Sequence, residues 1–172
     1  IHLAESKGTV NLVRKMYGKG EVSLLKSLGL LKPNVLAAHC VHLTRREMFT
    51  LAKCGVKVSY NPISNMKLAS GMPRIKEMLE LGITVGLGTD GPASNNSLDI
   101  IETVKTASLL QKVRYMDPRI LPVRRVLEMA TIDGARALGI DHLVGTLELG
   151  KRADIILLDF KKPHLTPTHD FY

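Results

Sequence analysis

The sequence predicts an α/β protein built on a parallel sheet, and three observations predict it. Short apolar runs without polar interruption alternate with segments of helical period, the pattern of strands buried on both faces. Glycines punctuate the junctions between them. Polar residues recur at the C-terminal end of each apolar run, where both barrels and doubly wound sheets place their ligands.

The elements follow in order. Ile1 to Ala4 reads as the last residues of a strand, and helical spacing covers Asn11 to Met16 and Glu21 to Leu28. Val35 to Ala38 is a strand ending at His39. Thr44 then opens a helix to Cys54, with Glu47 three positions on completing a capping box. Gly55 stops that helix, and Val56 to Tyr60 is a strand closed by Pro62. The stretch from Asn61 to Gly71 reads as irregular. Met72 to Leu81 is helical, with Pro73 in its first turn. Ile83 to Leu87 is the fourth strand, closed by GTDG. Helices are expected over Leu98 to Val113, after Pro122, and over Asp133 to Leu138. From Val144 the character changes. Gly145 and Gly150 precede an aliphatic run between Asp154 and Asp159, expected as a strand outside the repeat, and Pro163 and Pro167 mark an extended connection.

Composition narrows the class. With 172 residues, 45% hydrophobic and 23% charged, the chain is too apolar for disorder. No run approaches eighteen apolar residues, so no membrane span is expected. The opening IHLAES has no signal-peptide pattern and no Met, and the expectation is a piece of a longer protein. Two cysteines, Cys40 and Cys54, point to a reduced, cytoplasmic protein. The formal charge of +8 raises nucleic acid as a partner, but the basic residues are scattered and form no cluster, so that partner is not expected.

His2 and Glu5 stand three apart where a strand gives way to a loop. Imidazole ligates borderline metals and carboxylate moves protons, although a surface pair has the same spacing. His39 ends a buried strand and needs a polar partner there. Asp90, inside GLGTDG, reads equally as a turn cap or a metal ligand. Taken together, these four residues at one end of four successive strands suggest a mononuclear hydrolytic site. Four strands are half of a barrel.

HLAES, AAHCVHLT, NPISNMKLASG and GLGTDGPASNNSLD closely resemble segments of the amidohydrolase superfamily, in its adenosine-type deaminase branch. GTLELGKRADIILLD resembles the segment by which such enzymes return from the barrel to a composite β-sandwich. The resemblance covers nearly the whole chain and implies the C-terminal half of a TIM-like (β/α)8 barrel over residues 1–143, its strands five to eight. Residues 144–172 would return to a truncated sandwich.

The implied chemistry is deamination of an adenine nucleoside, such as methylthioadenosine, S-adenosylhomocysteine or 5'-deoxyadenosine, by metal-activated hydroxide attacking C6. His2 and Asp90 match metal ligands, with one divalent zinc or iron as cofactor. Glu5 matches the proton shuttle, and His39 the group that meets substrate or the attacking hydroxide. Asp90 also matches the residue that helps deprotonate water. Ser64, Asn65 and Lys67 are expected to support the site or lie near substrate. Asn95, Asn96 and Asp99 are expected to fix loop geometry. Tyr60 stands where family members often carry His.

The family's first-strand HxH pair is absent from this chain, so the piece alone is expected to be inactive and to need the other half of the barrel. A chlorohydrolase or guanine-type deaminase shares the same logic. A non-catalytic half-barrel module is the remaining alternative, since open sheet edges favour association, including a homo-oligomer. His42 reads as a local hydrogen-bonder and Cys40 as core. Arg124 and Arg125 read as helix surface and packing, His142, His164 and His169 fall outside the strand-end pattern, and His164 and Asp170 are assigned to the returning linker.

Overall fold

The computed structural model describes residues 1–167. Four strands, β1 (His2–Leu3), β2 (Leu36–His39), β3 (Lys57–Tyr60) and β4 (Val85–Leu87), form one sheet in sequential order, and every pairing is parallel. The register aligns His2, Ala38, Ser59 and Gly86 across the sheet. A sequential parallel arc with a helical crossover between neighbours is half of an eight-stranded barrel, the α/β class expected from the sequence.

Local chemistry explains where the helices begin. Helix α1 (Lys7–Tyr17) is capped by Ser6, whose hydroxyl accepts from the Thr9 amide at 3.1 Å, so it starts four residues before the periodic stretch. Its end is set by Gly18 in the left-handed conformation. After α2 (Glu21–Ser27), α3 (Arg45–Lys53) begins at the expected capping box: Thr44 Oγ1 accepts from Glu47 N at 3.2 Å, and Thr44 N donates to Glu47 Oε2 at 2.8 Å.

Two short helices depart from expectation. α4 (Pro62–Lys67) occupies the stretch read as irregular, and α6 (Pro92–Asn95) follows Asp90. Each starts at a proline, whose fixed φ suits a first helical turn even in a polar run. α5 (Ile75–Glu80) starts later than expected, because the Pro73 and Met72 carbonyls accept instead from Gln111 and Arg114. Those two donors lie on α7 (Ile100–Tyr115), which Asp99 caps at the amides of Ile101 and Glu102. α8 (Val123–Ala130) and α9 (Ile132–Leu138) close the helical layer.

The core lies between sheet and helices and includes Leu3, Val58, Val85, Leu51, Met78 and Met129, all nearly or fully buried. α9 approaches β4 closely. A Cβ on Gly86 would fall 3.0 Å from the Gly134 Cα, so a larger residue there would require α9 to shift off the sheet.

The aliphatic run 154–159 corrects the sequence expectation. It forms no strand, and Ile155, Ile156, Leu157 and Leu158 are exposed. β propensity does not make a strand without a neighbour to hydrogen-bond, and none of the described residues pairs with it. A cavity of about 610 Å³ opens between this segment and α9, lined by Leu138, Ile140, Val144, Leu147, Ile155 and Ile156 among others. The expected extended connection contains a short 3₁₀ turn, Pro163–Leu165. The assignments of His169 and Asp170 lie outside the described residues. No helix among the described residues is long and apolar enough to cross a membrane.

Candidate metal centre

Parallel pairing brings the C-terminal ends of the strands to one rim, and the backbone turns sharply there. Ala4, His39, Cys40 and Asp90 all have positive φ, at 50°, 71°, 52° and 60°. For residues with a Cβ this conformation is unfavourable by about 1–2 kcal/mol each, and such residues concentrate at functional sites. At His39 the Cys40 amide donates to the Ala38 carbonyl at 3.0 Å, closing a three-residue turn around the histidine. The Cys40 amide also reaches the Leu3 carbonyl at 3.0 Å, and His42 N reaches the Ala4 carbonyl at 2.9 Å, locking this rim to β1.

The turns converge the side chains. His39 is fully buried, and its Nε2 lies 3.9 Å from Glu5 Oε2 and 4.0 Å from Asp90 Oδ2. The His2 ring stacks on His39 with centroids 5.1 Å apart. One ligand-type atom each from His2, His39 and Asp90 lies within 4.8 Å of the others. The His39 Nε2 atom is buried and has no hydrogen-bond partner among the described residues. Two imidazoles, one of them with a ring nitrogen lacking a partner, and a carboxylate face the same space and form a donor set that fits a zinc-like divalent cation.

A support shell comes from α4 and the turn after it. Ser64 Oγ donates to Asp90 Oδ2 at 2.7 Å, His39 Nδ1 donates to Asn65 Oδ1 at 2.8 Å, and Ser70 Oγ donates to Glu5 Oε1 at 3.3 Å. Burial pushes the Asp90 carboxyl upward. Hydrogen bonds from Ser64, the Gly91 amide and Ser94 outweigh it and hold the group below the usual carboxylate range.

The structure thus brings His2, Glu5, His39, Asp90, Ser64 and Asn65 together. Lys67 is not among them. It is exposed, and its ammonium donates to the Ala93 carbonyl at 2.7 Å and to the Asn96 side chain, so it braces α6. Asn95 Nδ2 donates to the Thr89 carbonyl at 2.6 Å, holding the same loop. Tyr60, read as a polar strand end, points into the core, where its hydroxyl accepts from Gln111 at 3.2 Å. Strand alternation sends it to the face opposite Ser59.

Cys40 is buried, and burial pushes its thiol well above the ordinary range, which fits a core residue. His42 hydrogen-bonds the Ser70 carbonyl at 2.7 Å. Ser70 and Ser94 were not singled out from the sequence. Ser70 lies in the quoted NPISNMKLASG segment and Ser94 four residues beyond Asp90, so proximity to the motifs was the only available signal.

Over 171 residues the chain is 50% identical to a 5-methylthioadenosine/S-adenosylhomocysteine deaminase from Desulforudis audaxviator, covering 99% of this chain and 40% of that protein. It is 53% identical over 170 residues to a 5'-deoxyadenosine deaminase from Methanosarcina acetivorans, covering 99% of this chain and 39% of the relative. A crystal structure of an adenosine deaminase from Xanthomonas campestris with bound zinc superposes with a TM-score of 0.94 at 36% identity, over 98% of this chain and 38% of that one. The chain therefore spans about 40% of the length of the relatives it matches. The amidohydrolase family model matches residues 1–171, and the chain belongs to the amidohydrolase family.

Proposed function

We propose that this chain supplies half of the active site of a metal-dependent deaminase acting on adenine nucleosides, with methylthioadenosine, S-adenosylhomocysteine or 5'-deoxyadenosine as substrate. The observation that carries the reading is the convergence of His2, His39 and Asp90 within 4.8 Å, beside Glu5, on a chain half-identical to deaminases of such nucleosides.

His2 and Asp90 would hold the cation, with zinc favoured by the imidazole and carboxylate donors and by the zinc-bound relative. When bound, such an ion lowers the pKa of a coordinated water and so supplies a nucleophile at neutral pH. Glu5 is half-buried beside His39 and is placed to donate a proton to the ring nitrogen of the purine, to take up the remaining hydrogen of the attacking oxygen, and to pass that hydrogen to the departing amine. His39 presents the Nε2 lone pair to the attacking oxygen and accepts its hydrogen bond. Asp90, held ionised by Ser64 and its loop amide, accepts the proton from water.

In this reading residues 1–143 are the barrel half, and 144–172 lead to a composite sandwich. The exposed aliphatics at 155–158 support that assignment, because a pairing partner would cover them. The remaining barrel half is the required partner. Two free cysteines are consistent with a cytoplasmic setting.

The test uses the full-length protein, its metal content and the deamination of methylthioadenosine. Wild type should turn over the nucleoside, and Glu5→Gln should lose about 10²–10⁴ of the rate with metal content unchanged. Full-length wild type that is inert on all three nucleosides but releases ammonia from guanine, or chloride from a chlorinated heterocycle, would overturn the substrate reading.

A further inference from the structure

We propose that Asn65 is a positioning residue that fixes His39 in the Nδ1-protonated tautomer, so that the Nε2 lone pair is presented to the space between Glu5 and Asp90. The inference rests on the reading of His39 given above and adds the means by which its ring is set.

The argument starts from the donor and acceptor inventory. A neutral imidazole has one N–H and one lone pair, and the partner of one nitrogen decides the role of the other. Here Asn65 Oδ1 lies 2.8 Å from His39 Nδ1, and both residues are completely buried. An amide oxygen only accepts, so Nδ1 must carry the hydrogen. Nε2 has no partner among the described residues, and the nearest charged atoms are carboxylate oxygens 3.9 and 4.0 Å away. Two acceptors at that distance leave a gap that a cation, or a hydrogen of a water or hydroxyl group, can fill.

Asn65 is itself held. Its amide donates to the Asn61 carbonyl at 3.0 Å, its carbonyl accepts from the Ser70 amide at 2.9 Å, and α4 packs on α7. Its neighbour Ser64 orients Asp90, so two consecutive residues of one short helix set two different strand ends. The His39 turn, where φ is 71°, is tied to α4 through this one side-chain bond. Released from Asn65, the ring could rotate about its χ angles and exchange tautomers, and the lone pair would no longer be directed.

The test is nitrogen NMR of the full-length protein carrying ring-labelled histidine, with His39 assigned from the signals lost in His39→Gln. The couplings of the ring protons to the two nitrogens report which one is protonated. Wild type should show Nδ1–H. Asn65→Asp, which keeps an oxygen at the same place, should retain it. Asn65→Leu should lose the single tautomer and lower kcat about 10–100-fold, the range for removal of an outer hydrogen-bonding partner, with KM within about twofold. A wild-type spectrum with a hydrogen on Nε2, whether in the other tautomer, as produced if the amide faced the ring through Nδ2, or in the doubly protonated ring, would overturn the proposal, and it decides the matter even if Asn65→Leu does not fold. Unchanged tautomer and kcat in a folded Asn65→Leu would also overturn it. A full-length protein without nucleoside deaminase activity, but with Nδ1–H in wild type and not in Asn65→Leu, would support the positioning role while removing the functional reading.

Discussion

Two clusters of charge are built from similar groups and finished differently. At the rim, His39 faces Glu5 and Asp90 at 3.9 and 4.0 Å with its Nε2 unpartnered. On α8 and α9, Asp133 is held by Arg125 at 2.5 Å and by Arg136 at 3.0 Å, and Arg125 also reaches Glu128 at 2.9 Å. The second cluster brings opposite charges into direct contact, although Asp133 Oδ2 meets Arg125 as an ion pair without a hydrogen bond. In the first, both acidic groups face a gap, and the backbone around it is strained. A closed cluster is what joining two helices needs. An open one stabilises the fold poorly and suits the binding of something from outside.

The largest effect expected from this contrast is on rate. In the full-length protein Asp90→Ala should lower nucleoside turnover by more than the roughly 100-fold typical of outer partners, because it removes a direct donor to the centre. The same change should lower the thermal stability of the metal-free protein only modestly, since it takes the acceptor from Ser64, Ser94 and the Gly91 amide but leaves no charged group buried without its counter-ion. A metal-free variant much less stable than wild type would erase the distinction between the clusters.

The reverse pattern is expected at the closed cluster. Asp133→Ala leaves two guanidinium groups without their buried acceptor and should destabilise the full-length protein by about 1–3 kcal/mol in denaturant unfolding. That is below the usual loss for a fully buried pair, because Arg125 and Arg136 are 32% and 54% exposed. Activity per folded molecule should stay within about twofold of wild type. Loss of turnover without loss of stability would mean that Asp133 reaches the chemistry.

The contrast also explains what could be read in the sequence. The four apolar runs were legible because burial on both faces removes polar residues, and the strand ends were legible because polar residues reappear there. β1 to β4 and the positions of His2, His39 and Asp90 at one rim follow from that pattern alone. α4 and α6 were not legible. They have six and four residues and no side-chain cap, too short for any apolar period to register. Ser70 meets Glu5 across 65 residues of chain, a contact no local pattern carries. The run 154–159 failed for the opposite reason: its local pattern is strong, but strand formation depends on a neighbour.

A third polar contact, outside both clusters, sharpens the comparison with a smaller effect. Tyr115 at the end of α7 donates its hydroxyl to Glu77 Oε2 on α5. Burial first, then the bond to Glu77, raises the Tyr115 hydroxyl to about 12, with Arg114 opposing. A folded-state pKa above that of the unfolded chain, near 10, means the contribution to stability is fully present below about pH 10 and is lost as pH rises toward 12. Between those values Tyr115→Phe should flatten the fall of stability in the full-length protein, by on the order of 1 kcal/mol once solvent screening is allowed for. Equilibrium unfolding at pH 9 and pH 11 in both proteins measures it. A parallel fall in wild type and variant would show that this bond, unlike the Asp133 cluster, adds nothing that depends on its proton. A closed polar contact would then stabilise only where an opposite charge completes it.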